Sequence, residues 1–164
     1  IGHRGKQRPC CHNQNLFKLT PALSQEAASF SVLICFEDLF PELSANFVRR
    51  GAHFLVNITN DAWYKRSAAA SQHLQASVLR AVENRRSLVR SANTGISVFI
   101  SPEGRQYSLV KDKSGNPLFV AGYETADLSP RPAVLSFYTR YPDLFVILCA
   151  VALFCAIIRL FKNN

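Results

Sequence analysis

The sequence predicts an α/β domain followed by one membrane-crossing helix. Three observations carry that expectation. Two short apolar runs, Val32-Leu33-Ile34 and Phe54-Leu55-Val56, flank a helical pattern that opens at Pro41. A long one-faced helical pattern begins at Ser71 and leads into further short apolar runs. Beyond a proline-bearing segment, Leu144 to Ile158 is 15 unbroken apolar residues. A strand–helix–strand crossover makes the two strands parallel. A chain of 164 residues is long enough for one domain with a real core.

Taken in order, Ser29 to Phe36 reads as a buried strand. Leu39 to Arg50 reads as a short helix with Pro41 in its first turn, where a missing N–H costs nothing. Gly51 sits where a glycine ends a helix, and Ala52 to Ile58 is the next strand. Thr59 to Ala70 is a loop holding the single tryptophan, Trp63. In the helix from Ser71, Leu74, Val78, Ala81 and Val82 form one apolar face, while Arg80, Glu83, Arg85 and Arg86 fall on the others. Leu88 to Ala92 and Ile96 to Ile100 read as strands around an Asn93-Thr94-Gly95 turn, and Pro102-Glu103-Gly104 is a second turn. Weaker strand signals lie at Tyr107–Val110 and Leu118–Gly122.

Ser129 to Pro142 holds three prolines and marks a domain edge. The expected division is a basic tail at 1–20, a folded domain at 21–137, and a membrane helix with a short basic end at 138–164. Fifteen helical residues rise only ~22 Å; continuing through Phe161 gives about 27 Å, close to a hydrocarbon core of roughly 30 Å. Arg159 would snorkel, and Tyr138 and Tyr141 lie where an interfacial aromatic belt is expected.

The net charge of +8 implies an anionic partner. No nucleic-acid motif accompanies the charge, so lipid is the expected partner and nucleic acid is not. Arg85, Arg86 and Arg90 either face lipid phosphates or form a solvated basic face. Five cysteines, an odd number without metal-ligand spacing, argue against a disulfide framework or zinc site. Cys10-Cys11-His12 makes a poor tetrahedral set, and neither a metal nor an organic cofactor is expected. The chain opens at Ile1 without methionine, which suggests a fragment or remnant.

The candidate chemistry centres on Cys35, at the end of the first buried run, with Glu37 two residues on. The second run ends in Asn57, Asn60 and Asp61. Adjacent strand ends carrying polar groups are where open α/β sheets build sites. From the residues alone Cys35 is either a nucleophile or a small apolar filler. A nucleophile needs a base for its proton and donors for an oxyanion.

The stretches LICFEDLFPE, LVNITNDAWY and QHLQASVLRAVENRRSLVRSANTGISVFISPEGR, with the terminal apolar run, resemble apolipoprotein N-acyltransferases, membrane enzymes with a nitrilase-like domain. The resemblance runs from about Phe30 to Lys162. It implies an αββα sandwich on the periplasmic face of the bacterial inner membrane and a Glu-Lys-Cys triad whose nucleophile is Cys35. It also implies a phospholipid acyl donor, a Cys35 thioester, and a lipoprotein N-terminal diacylglyceryl-cysteine as acceptor. Glu37 and Phe36 match residues that support the site, Glu83 matches an element bordering the triad, and Trp63 could line an acyl-chain entrance. The triad's glutamate and lysine have no counterpart: Glu26, Lys6 and Lys18 stand in no matching context among the 34 residues before Cys35. The expectation is therefore the C-terminal part of a nitrilase-like domain, inactive without an upstream partner. A nitrilase-type amidase and a non-catalytic membrane-anchored remnant are the alternatives.

Overall fold

The computed structural model describes residues 16–19, 28–128 and 134–162. Six strands form one mixed sheet in chain order: β1 (Phe17–Leu19), β2 (Ala28–Ile34), β3 (Phe54–Asn60), β4 (Ser87–Asn93), β5 (Val98–Ile100) and β6 (Gln106–Tyr107). The β2–β3 and β3–β4 pairs are parallel, and the outer pairs are antiparallel. Helices α1 (Pro41–Arg49) and α2 (Ala69–Asn84) make the two crossovers. Pro41 is in the first turn of α1, and Gly51, at φ +101°, follows its end in a backbone few other residues adopt.

Period-two alternation decides which side chains the helices cover. Leu33, Leu55, Leu88 and Ile100 face Phe47, Val48, Leu74 and Ala81 in one core. Each buried leucine, isoleucine, valine or phenylalanine among them contributes about 1.5–3 kcal/mol by leaving water. The opposite face carries Val32, Val56, Val89 and Phe99 in one register row, all half-buried. The described chain is thus one helix-covered sheet, the α/β layer pair of the expected sandwich.

Several boundaries differ from the sequence expectation, for local reasons. β2 stops at Ile34, and Cys35 opens a 3-10 turn through Leu39. β3 runs on to Asn60 because Thr59 and Asn60 pair with Ala92 and Asn93. β5 is shorter than Ile96–Ile100, since the Ser97 hydroxyl, not a ladder carbonyl, accepts from the Ala92 N–H. Ser108 at φ +47° ends β6 early, and Phe119 at φ +59° interrupts the apolar run 118–122, which forms no strand. The expected polar faces of α2 need correction. Arg80 and Arg86 are buried, because carbonyls of neighbouring elements take their guanidiniums.

A short helix, α3 (Phe137–Arg140), ties the C-terminal segment to the ends of α1 and α2. Ser136 donates to the Glu83 carbonyl, Thr139 Oγ1 donates to Asn84 Oδ1 at 2.9 Å, and Arg49 donates to the Thr139 carbonyl at 2.9 Å. Then α4 (Leu144–Lys162) runs 19 residues, about 28 Å, with no buried side chain. Among the described residues it is the helix long and apolar enough to cross a membrane. Residues 1–15, with Cys10-Cys11-His12, lie outside the described residues, whereas Phe17–Leu19, expected in the tail, is β1 and pairs with β2.

An apolar helix of this length with no buried face is of a kind that lipid covers. Membranes from cells expressing the chain should therefore retain it through an alkaline carbonate wash. Recovery in the soluble fraction would contradict the assignment of α4 as a span.

Candidate functional site

Cys35 sits just past β2, at φ +52°, in the left-handed region that a residue with a β-carbon enters only at a cost of roughly 1–3 kcal/mol. Three contacts hold it there. Glu37 folds back so that its Oε2 accepts from the Ile34 N–H at 2.7 Å. The buried Asn57 amide donates to the Leu33 carbonyl at 3.3 Å and to the Cys35 carbonyl at 3.1 Å. The Thr59 hydroxyl lies 3.5 Å from the Cys35 sulfur. The residue as a whole is half-buried.

Beneath this turn lies a set of charges buried from solvent. Arg90 on β4 donates to Asp38 at 2.9 Å through one nitrogen and to Asp61 at 3.1 Å through another. His73 on α2 bridges the same two carboxylates, Nε2 to Asp38 at 3.1 Å and Nδ1 to Asp61 at 2.9 Å. Ser77 donates to Asp38, and Arg90 also reaches Asn57 Oδ1 at 2.8 Å. With His73 protonated, two carboxylates meet two cations and the group is neutral. A buried group of this kind holds together only when its members are paired.

The electrostatics follow from the partners. Burial alone would lower His73, but hydrogen bonds to Asp38 and Asp61 dominate and raise it from 6.5 to about 9. Burial alone would raise Asp61, but the His73 hydrogen bond and the Arg90 charge hold it below the ordinary 3.8. Gly95 is fixed by the same carboxylate: a β-carbon there would lie 2.2 Å from Asp61 Oδ2. The Asn93-Thr94-Gly95 turn therefore needs glycine for close approach.

The other sequence candidates divide by position. Phe36 stacks on the His73 ring at 4.9 Å and meets Tyr64 edge-on at 6.2 Å. Asn60 accepts from the Ala62 N–H at 3.1 Å and from the Asn93 amide at 3.2 Å, fixing the turn after β3. Trp63 is 84% exposed, in a short 3-10 turn. Glu83 lies toward the far end of α2, half-buried against Arg80 at 2.8 Å. Burial pushes its carboxyl up, with Arg80 opposing.

Arg90, read from sequence as facing lipid or solvent, is buried, and so is Arg86; Arg85 is exposed. Sequence reasoning missed Asp38, Thr59, His73 and Ser77. Two signals were available. Arg90 has the parity of Leu88 in an alternating strand. His73, Ser77 and Asn84 recur on the same stripe of α2 as Leu74 and Ala81. Among the described residues, no cluster of three His, Cys, Asp or Glu side chains could hold a metal ion.

Residues 7–121 match the family model for carbon-nitrogen hydrolase. An apolipoprotein N-acyltransferase of Geobacter metallireducens is 44% identical over 128 residues, covering 78% of this chain and 23% of that protein. Apolipoprotein N-acyltransferase 2 of Treponema pallidum is 37% identical over 140 residues, covering 85% and 24%. The chain thus spans about a quarter of the length of these curated relatives. The crystal structure of Saccharomyces cerevisiae Nit3, of the nitrilase superfamily, aligns with a TM-score of 0.47 at 22% identity, over 71% of this chain and 42% of that one.

The charge network makes a pH prediction. His73 is raised in the fold, so its contribution is complete below pH 6.5 and is lost as pH rises through about 9. Asp61 is lowered, so its contribution is complete above pH 3.8 and is lost on further acidification. Unfolding free energy should fall by about 1.4 kcal/mol per pH unit between those His73 values. Denaturation in detergent at several pH values reads this slope, which His73→Asn should abolish. An equal slope in that variant would contradict the pairing.

Proposed function

The chain belongs to the carbon-nitrogen hydrolase family, and on that premise we propose that it is the thiol-bearing part of an apolipoprotein N-acyltransferase. One observation carries the reading. Cys35 is a half-buried cysteine held in a left-handed turn just past the C-terminal end of β2, beside the end of the parallel strand β3. The relatives that match most of this chain are named for acyl transfer to nitrogen. The apolar α4 favours a lipid substrate over the small amide of a soluble amidase.

In the proposed reaction the Cys35 thiolate attacks the carbonyl carbon of a phospholipid ester. The C=O electron pair moves onto oxygen, and the collapsing adduct expels the lysophospholipid alkoxide, which takes a proton. The acyl chain stays on sulfur as a thioester. The free amino group of a lipoprotein's diacylglyceryl-cysteine then attacks, loses a proton, and expels the thiolate as the amide forms. Glu37 and Asn57 hold the turn that presents the sulfur, Asn60 and Asp61 fix the neighbouring strand end, and Phe36 packs over His73. Trp63 offers an exposed apolar surface for the acyl chain. Glu83 supports the site indirectly, through the Arg80 guanidinium that binds the Asp38 and Leu39 carbonyls.

The base and the oxyanion donor come from an upstream segment, in the same polypeptide or a second one. We place α4 in the bacterial inner membrane with the sheet on its periplasmic side. The hydrolase-type layer, expected over 21–137, then also takes in β1 at Phe17–Leu19, and 138–164 carries the anchor.

Intact mass spectrometry after incubation with phospholipid vesicles tests this reading. The isolated chain should remain unmodified. Supplying the family's upstream segment should yield one hydroxylamine-labile acyl adduct, absent in Cys35→Ala. An adduct that persisted in Cys35→Ala would overturn the assignment of the thiol.

A further inference from the structure

We propose that Thr59 is the hydrogen-bond donor to the Cys35 thiolate, and that its hydroxyl changes partner when the thiol ionises. The inference rests on Cys35 being the reacting thiol. The geometry is a fork. Thr59 Oγ1 lies 3.5 Å from Cys35 Sγ and 3.2 Å from Asp61 Oδ1, and it has one proton to give. While the thiol is neutral, the S–H donates to Thr59 and the Thr59 O–H donates to Asp61. When the thiol proton has left for a base or for solvent, the sulfur becomes the acceptor in need.

Asp61 can release that proton because it is already held twice. His73 Nδ1 lies on its Oδ1 at 2.9 Å, and Arg90 Nη2 donates to its Oδ2 at 3.1 Å. Both are charge-assisted contacts, stronger than one from a neutral hydroxyl. The thiolate has no such provision. Among the described residues, Thr59 is the one shown within hydrogen-bond reach of the sulfur. Thr59 is itself only 9% exposed, so water competes poorly for the hydroxyl. Turning it costs one neutral bond to a satisfied carboxylate and gains one to a bare anion. The buried charges below the turn thereby free a donor for the sulfur without touching it.

The test reads thiol ionisation, independently of acyl transfer. The full chain in detergent is alkylated with iodoacetamide from pH 5 to 9, and the Cys35 peptide is resolved by mass spectrometry from those of the other cysteines. The rate follows the thiolate fraction. Thr59→Val and Thr59→Ala both remove the hydroxyl, and Thr59→Ser keeps it. Both hydroxyl-less variants should react about tenfold more slowly at pH 7, with the pH profile displaced upward by about one unit. Thr59→Ser should stay within about twofold of the wild-type rate. Thermal melts identify a variant that fails to fold, and the other then decides. An unchanged or downward-displaced profile without the hydroxyl would overturn the proposal, because Thr59 would then be committed to Asp61 throughout. Failure of the acyl-transfer reading would not remove the displacement between wild type and the hydroxyl-less variants, so the two readings fail separately.

Discussion

Four buried charges, Asp38, Asp61, His73 and Arg90, are the constraint on which the rest of the structure depends. They come from the turn after β2, the end of β3, the first half of α2, and β4. Each element must reach the centre for its charge to be paired. Removing one partner from such a group costs roughly 3–5 kcal/mol, because it leaves a charge stranded away from water. A pair in open solvent would be worth a small fraction of that. The network therefore acts as a register lock more than as a source of net stability. It sets where the 3-10 turn lies, and so where Cys35 is presented. It also requires Gly95 to approach Asp61 without a side chain.

Much of the fold was legible in the sequence because it obeys local rules. Alternate residues of the apolar runs of β2 and β3, Leu33 and Leu55 among them, are buried by the helices that follow, while Val32 and Val56 face the other way. Pro41 and Gly51 mark α1 at both ends, and the crossover makes the strands parallel. That Cys35, Asn57 and Asp61 come together at neighbouring strand ends was legible too, since polar residues closing apolar strands are conspicuous. The partners of those residues were not. Reading charged side chains as solvent-facing is a sound rule for one helix taken alone, and it fails for Arg80, Arg86 and Arg90. Their acceptors lie far along the chain: Asp38 is 52 residues from Arg90. Pairing at that distance leaves no periodic trace. Only parity within β4, and the polar stripe on α2, could have hinted at it.

The thiol and the apolar helix α4 are attached at different ends of α2. His73 and Ser77 serve the Cys35 turn, while Glu83 and Asn84 receive the segment before α4. From His73 to Asn84 the helix rises about 16 Å. Through Arg80 and Glu83, which join the turn's carbonyls to the far end of α2, the same helix carries both loads.

The most direct test of the network is the protonation state of His73 in the folded chain. Nitrogen-15 NMR of histidine-labelled protein in detergent reports both ring nitrogens, with His73→Asn supplying the assignment. The account predicts an imidazolium that keeps both N–H protons at pH 8 and titrates near 9. A neutral ring at pH 8, titrating near 6.5 like a solvent-exposed histidine, would contradict the paired network and the positioning of Cys35 that depends on it.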